Sequence, residues 1–167
     1  MWQLPRFLVL TVFLLSGLSL GAEDSIMGSW QVSRIDLDYR DKPILEPQPS
    51  MIIFADKHYS MFWTRGESSM RAFRNRWVPT DEEKLKRFGE IVVNFGTYVL
   101  EGSELRTYPI AAKTPELIGG FWVYDVNWSN GDLVLTMLDE VSYDDVQNPV
   151  FEDYSGQIHL TLSRISD

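Results

Sequence analysis

Eight runs rich in β-branched and aromatic residues are joined alternately by tight turns and long connections, and this alternation constrains the fold more than any other feature of the chain. The runs cover residues 30–36, 50–55, 58–64, 95–100, 104–111, 121–128, 133–138 and 157–165. Apolar and polar residues alternate most cleanly in the last, with Ile158, Leu160 and Leu162 set against His159, Thr161 and Ser163. Three connections are tight: Ala55-Asp56-Lys57-His58, Glu101-Gly102-Ser103 and Ser129-Asn130-Gly131-Asp132. The Asn-Gly pair in the third is the strongest short hairpin signal. The connections at 37–49, 66–93 and 139–156 are long, and the one through Lys113-Thr114-Pro115-Glu116 is intermediate. In an antiparallel sheet whose strands follow one another in order, alternate connections lie at opposite ends. The tight turns therefore gather at one end and the long loops at the other. The predicted fold is all-β: an eight-stranded up-and-down antiparallel barrel with a closed base and a dressed mouth. About eight strands enclose an interior that side chains fill or that holds one small ligand. Thr80 and Glu83 form a capping box, and Leu85 and Phe88 repeat at helical spacing. This predicts a helix at 81–88, stopped by Gly89, in a lid between strands three and four. Residues 68–77 read as a second short helix or an irregular stretch of that lid.

Residues 1–22 read as a secretory signal rather than as part of the domain. Arg6 precedes the apolar run 7–15, and small residues follow at 16–22. The run is shorter than the roughly 20 apolar residues a membrane span needs, so no stable insertion is expected after cleavage. Residues 23–167 then form one domain. The chain has no cysteine, so no disulfide supports it and its core alone must hold it. Its net charge is −9, and loss of Arg6 makes the mature chain one unit more acidic. Such a charge repels nucleic acid, which is excluded as a partner. The expected location is secreted or periplasmic.

Trp30 opens strand one and Arg164 closes strand eight, and the loop order brings both to the base. Together with Gly28 they resemble the Gly-x-Trp and late arginine of the lipocalins and the wider calycin group. The run Gly96-Thr97-Tyr98-Val99 followed by Glu101-Gly102 resembles bacterial lipocalin-like domain proteins. The Thr-Asp-Tyr motif of many lipocalins is absent. The resemblance implies that Gly28, Trp30 and Arg164 form the structural base of the barrel, with the guanidinium across the indole in a cation–π contact. It also implies a barrel that binds a small apolar or amphipathic molecule.

The aromatic residues offer the first candidates for a binding site. Those pointing inward either fill the core or wall a ligand pocket. Trp63, Tyr98, Tyr108 and Tyr124 are the expected wall, because tyrosine joins an apolar face to a polar tip. Arg34 and Asp36 share the parity of Trp30. If strand one runs without a bulge, both point into the barrel, and the arginine needs Asp36 or an anionic ligand as partner. A bulge would turn Ile35 inward instead. Arg34 or Arg65 would meet a polar head. The lid is basic (Arg65, Arg71, Arg74, Arg76, Lys84, Lys86, Arg87), and the loop at 139–153 is acidic. They pair with each other at the surface, or the basic set draws in an anionic ligand. The acidic loop lacks the spacing of an EF-hand, and no metal or cofactor is expected. There is no cysteine nucleophile and no metal-spaced histidine pair, and a Ser-His-Asp set could be assembled from almost any composition, so no catalytic residue is assigned. The expected function is a small-molecule carrier. The alternatives are an isomerase, cyclase or lyase on the same barrel, and a protein-interaction module acting through the mouth loops.

Overall fold

The structure, a computed structural model, describes residues 25–38, 41–66, 72–151 and 157–166. The signal expected at 1–22 lies outside them, as do Arg71 and part of the acidic loop at 152–156. The strands are β1 (Gly28–Leu37), β2 (Ile44–Leu45), β3 (Met51–Phe54), β4 (His58–Thr64), β5 (Ile91–Glu101), β6 (Glu104–Ala112), β7 (Phe121–Ser129), β8 (Asp132–Val141) and β9 (Ile158–Arg164). Among the described residues one α-helix, α1 (Asp81–Glu90), follows β4, and short 3-10 turns lie at Pro115–Leu117 and Pro149–Phe151. The sheet order is β2-β1-β3-β4-β5-β6-β7-β8-β9, every pairing is antiparallel, and β1 pairs again with β9 to close the sheet. The two-residue β2 lies along Arg34 and Ile35, beyond the stretch of β1 that pairs with β3. The closed barrel is therefore eight-stranded, with β2 extending one edge. Among the described residues, closure leaves no long free edge for another chain to join.

Local chemistry explains the ends of these elements. Asn130 and Gly131 both adopt positive φ, of 53° and 88°, which the two-residue hairpin between β7 and β8 requires. Helix α1 begins at a complete capping box: the Thr80 hydroxyl accepts from the Glu83 N–H, and the Glu83 carboxylate accepts from the Thr80 N–H. The sequence places the end of this helix at Gly89. The helix instead passes through Gly89 and turns directly into β5 at Ile91, so the connection is shorter than the run 66–93 suggests. The Lys113 ammonium donates to the carbonyls of Phe88 and Ile91 at 2.9 and 2.6 Å, which holds the last turn of α1 beside the start of β5.

Three register shifts decide which side chains face inward. Between Val32 and Arg34, β1 carries Ser33 as an extra residue opposite β9. Trp30 and Val32 face inward before it, and Ile35 and Leu37 after it, all buried. In β6, Ile110 is the extra residue between Pro109 and Ala111 opposite β5. In β8, Leu138 is the extra residue between Met137 and Asp139 opposite β7. The interior is packed from the base upward. Trp30, Ile52, Met61, Leu105, Leu133, Leu135, Leu160 and Leu162 are all fully buried.

Candidate functional site

Trp30 and Arg164 are direct cross-strand partners, so the register itself places the guanidinium over the indole, 4.3 Å from the ring centroid. The Trp30 indole N–H donates to Ile26 O at 2.8 Å, and Arg164 donates to the carbonyls of Met27 and Ser25. An added Cβ at Gly28 would lie 2.7 Å from the Arg164 guanidinium, so the glycine leaves room for this contact. The end that carries the three tight turns is thus closed.

The opposite end holds a partly open cleft of about 120 Å³. It is smaller than the roughly 300–1,000 Å³ usual for drug-sized ligands. The end of β4 brings Trp63 to it, with Arg65 just beyond, and the first residues of β5 bring Val92 and Asn94. Lys113 and Leu117 come from the connection after β6, Trp122 from the start of β7, Met137 and Glu140 from β8, and Ile158 from the start of β9. The Leu138 bulge is what places Glu140 here. It sets Glu140 opposite Trp122, on the inward phase that Leu133, Leu135 and Met137 occupy before the shift.

Donors dominate this cleft. The Tyr59 hydroxyl donates to Asn94 Oδ1 at 2.6 Å, which fixes the amide. Asn94 Nδ2 and the indole N–H groups of Trp63 and Trp122 are buried and find no acceptor among the described residues. Each such donor costs about 1–3 kcal/mol if it stays unsatisfied. Arg65 stacks on Trp63 with its guanidinium carbon 5.7 Å from the ring centroid. Burial lowers the Lys113 pKa, and the neighbouring Arg65 charge lowers it further. Burial raises the Glu140 carboxyl pKa. The Asn148 amide, donating to Oε2 at 3.1 Å, opposes that rise, as do Trp122 and Arg65. The Trp122 N–H lies near enough to favour the ionised carboxylate, yet outside normal hydrogen-bond geometry.

The residues expected to form the pocket fall in different places. Trp63 and Arg65 line the cleft. Tyr124 is buried, with its hydroxyl directed to Met61 Sδ at 3.7 Å, and is core. Tyr98 packs edge-on against Phe54 and donates to Ala55 O at 2.8 Å, near a base turn and far along β5 from Asn94. Tyr108 faces outward between the inward Thr107 and Pro109, so it is not part of the interior wall. Arg34 is also on the outside, because the Ser33 bulge turns Ile35 inward. It pairs there with Asp36 at 2.6 Å, and that contact lowers the aspartate pKa. Arg34→Ala is expected to change stability by less than about 1 kcal/mol in urea unfolding; a loss of several would require a buried guanidinium.

The basic and acidic stretches do not pair across the mouth among the described residues. Lys84 meets Asp81 and Arg87 meets Glu90, both within α1. Asn94, Lys113, Trp122 and Glu140 are cleft residues that the sequence reading did not single out. Asn94 carries a visible signal, as a lone polar residue between Val93 and Phe95. Comparison of the chain with protein-family models, with curated proteins and with solved structures finds no match.

Proposed function

We propose that this is an exported, lipocalin-like up-and-down barrel that binds one compact small molecule at the cleft, with α1 and the segment before it as a lid. The observation that carries the reading is that Trp63, Asn94 and Trp122 line one cavity and that each holds a buried donor, Nε1, Nδ2 and Nε1, with no acceptor among the described residues. A ligand with hydrogen-bond acceptors and an apolar face would satisfy them once small side-chain shifts turn them to the cleft. Val92, Leu117, Met137 and Ile158 would pack its apolar side. The packed interior below the cleft supports a small ligand rather than a long acyl chain. The closed base, with Arg164 over Trp30, supports the lipocalin-like assignment.

Native mass spectrometry on protein purified gently from its own compartment tests this. A discrete added mass is expected, and the Asn94→Leu variant should lose it while remaining folded. Bare protein, together with unchanged Trp63 and Trp122 indole N–H resonances across a varied fragment library, would remove the binding reading.

A second reading, an isomerase or lyase, draws on one observation. Glu140 and Lys113 share a cleft in which burial raises the carboxyl pKa and lowers the ammonium pKa, the directions that bring an acid and a base nearer to neutral pH. Turnover abolished by Glu140→Gln would favour it over simple carriage.

A further inference from the structure

Resting on the reading of the cleft as a binding site, we propose that its ligand is a compact carboxylate taken up together with a proton on Glu140. The first part follows from the inventory of polar groups. Asn94 Nδ2, Trp63 Nε1 and Trp122 Nε1 can only donate. Arg65 and Lys113 add two cations to the same lining, the Lys113 ammonium already donating to the carbonyls of Phe88 and Ile91. Against them stands one carboxylate, Glu140. A ligand made of acceptors complements such a set, whereas an amine would meet two positive charges and three unusable donors. The lining is otherwise apolar and aromatic, and the space is small. A planar, singly charged acid group on a short apolar body fits both facts. A dianion would add charge next to Glu140 without further cations to balance it.

The second part follows from where Glu140 sits. An ionised Glu140 beside a bound carboxylate sets two like charges in a half-enclosed site. Two such acids are stable together when they share one proton. The groups around Glu140 come from several elements. Arg65 just after β4 and Lys113 after β6 are positive, and Asp139 on its own strand is negative. Asn148 donates to Oε2, and Trp122 lies across from it on β7. Tyr124 below it is held neutral by burial, and Glu140 adds to that effect.

The direction of the pH dependence is then fixed. A carboxyl whose pKa is raised in the folded protein keeps its proton to higher pH. Binding of an anion should be strong below that pKa and weaken as the pH rises through it.

Benzoate, benzyl alcohol and benzylamine serve as probes that differ mainly in the polar group. Benzoate remains ionised from about pH 5 to about pH 8, as carboxylic acids with ordinary pKa values do. The indole N–H resonances of Trp63 and Trp122, assigned with Trp63→Phe and Trp122→Phe, report the cleft directly. Benzoate is expected to shift both at the lower pH and to bind about tenfold more weakly at the higher, as loss of up to one coupled proton allows. Glu140→Gln should bind benzoate with nearly the same affinity at both pH values. Equal or tighter binding of benzyl alcohol or benzylamine would overturn the carboxylate assignment while leaving the cleft a binding site. A pH dependence that persists in Glu140→Gln, or is absent from the unaltered protein, would overturn the proton. No shift with any probe would remove the binding reading as well.

Discussion

Trp30→Ala is expected to cost roughly 3–5 kcal/mol, the range for removing a large buried aromatic side chain. Trp30 is fully buried at the base, and three separate contacts depend on it. Its ring lies 5.8 Å from that of Trp128, its N–H holds Ile26 O, and its face carries the Arg164 guanidinium. Truncation opens a cavity, leaves the Ile26 carbonyl without its donor and strips Arg164 of its platform. Chemical unfolding by urea measures the effect. A loss below about 1 kcal/mol would mean that the base tolerates an empty centre, contrary to the packing found there. Arg164→Ala should cost less, because the cation is on the solvent side of the contact, where such interactions contribute about 0.5–1 kcal/mol.

Gly96→Ala is expected to destabilise by about 1–3 kcal/mol, although an alanine in a strand is normally favoured over glycine. At the Ile110 bulge, β6 folds over Gly96. A Cβ there would collide with the Tyr108 carbonyl oxygen and lie 2.8 Å from the Ile110 nitrogen. Both obstacles are backbone, so relief requires the two strands to part rather than one side chain to turn. Gly89→Ala provides the contrast. It lies in α1 with nothing within 4 Å of its Cβ position, and the helix should gain about 0.5–1 kcal/mol. Urea unfolding of the two variants side by side should give opposite signs. A stabilising Gly96→Ala would show that the bulge does not press on this residue.

The general plan of the barrel was legible because it rests on local signals. Asn130-Gly131 announces its hairpin, Thr80 and Glu83 announce the start of α1, and strands such as 158–164 alternate without interruption. The cleft was much less legible, and the bulges are the reason. Inward and outward positions exchange at each one, so the phase read from Trp30 carries as far as Val32 and then fails at Arg34. The same failure hid Glu140. Counted among the acidic residues that follow Met137, it reads as part of a solvated loop, yet the Leu138 insertion returns it to the interior. Tyr108 misled for a different reason. It was favoured as an aromatic residue, whereas the placement of Thr107 and Pro109 on either side turns it to the surface. Lys113 could not be recognised from its neighbours in sequence, because its partners are the carbonyls of α1, across the corner where that helix enters β5.

The packed base and the cleft at the other end give each strand two unequal halves, and this bears on how the molecule opens. Backbone amides near Trp30, Leu133 and Leu162 are surrounded by fully buried side chains, so their exchange with solvent hydrogen requires the whole sheet to come apart. At the far end of the same strands, the corner formed by the close of β4, α1 and the start of β5 has no buried helical residue to secure it. Its amides are expected to exchange faster than those of the base, because Lys113 and the buried ends of β4 and β5, rather than a packed helix face, hold it. On the proposed reading of the cleft, the lifetime of a bound molecule would then depend on that corner and the stability of the fold on the base, which are separate sets of residues.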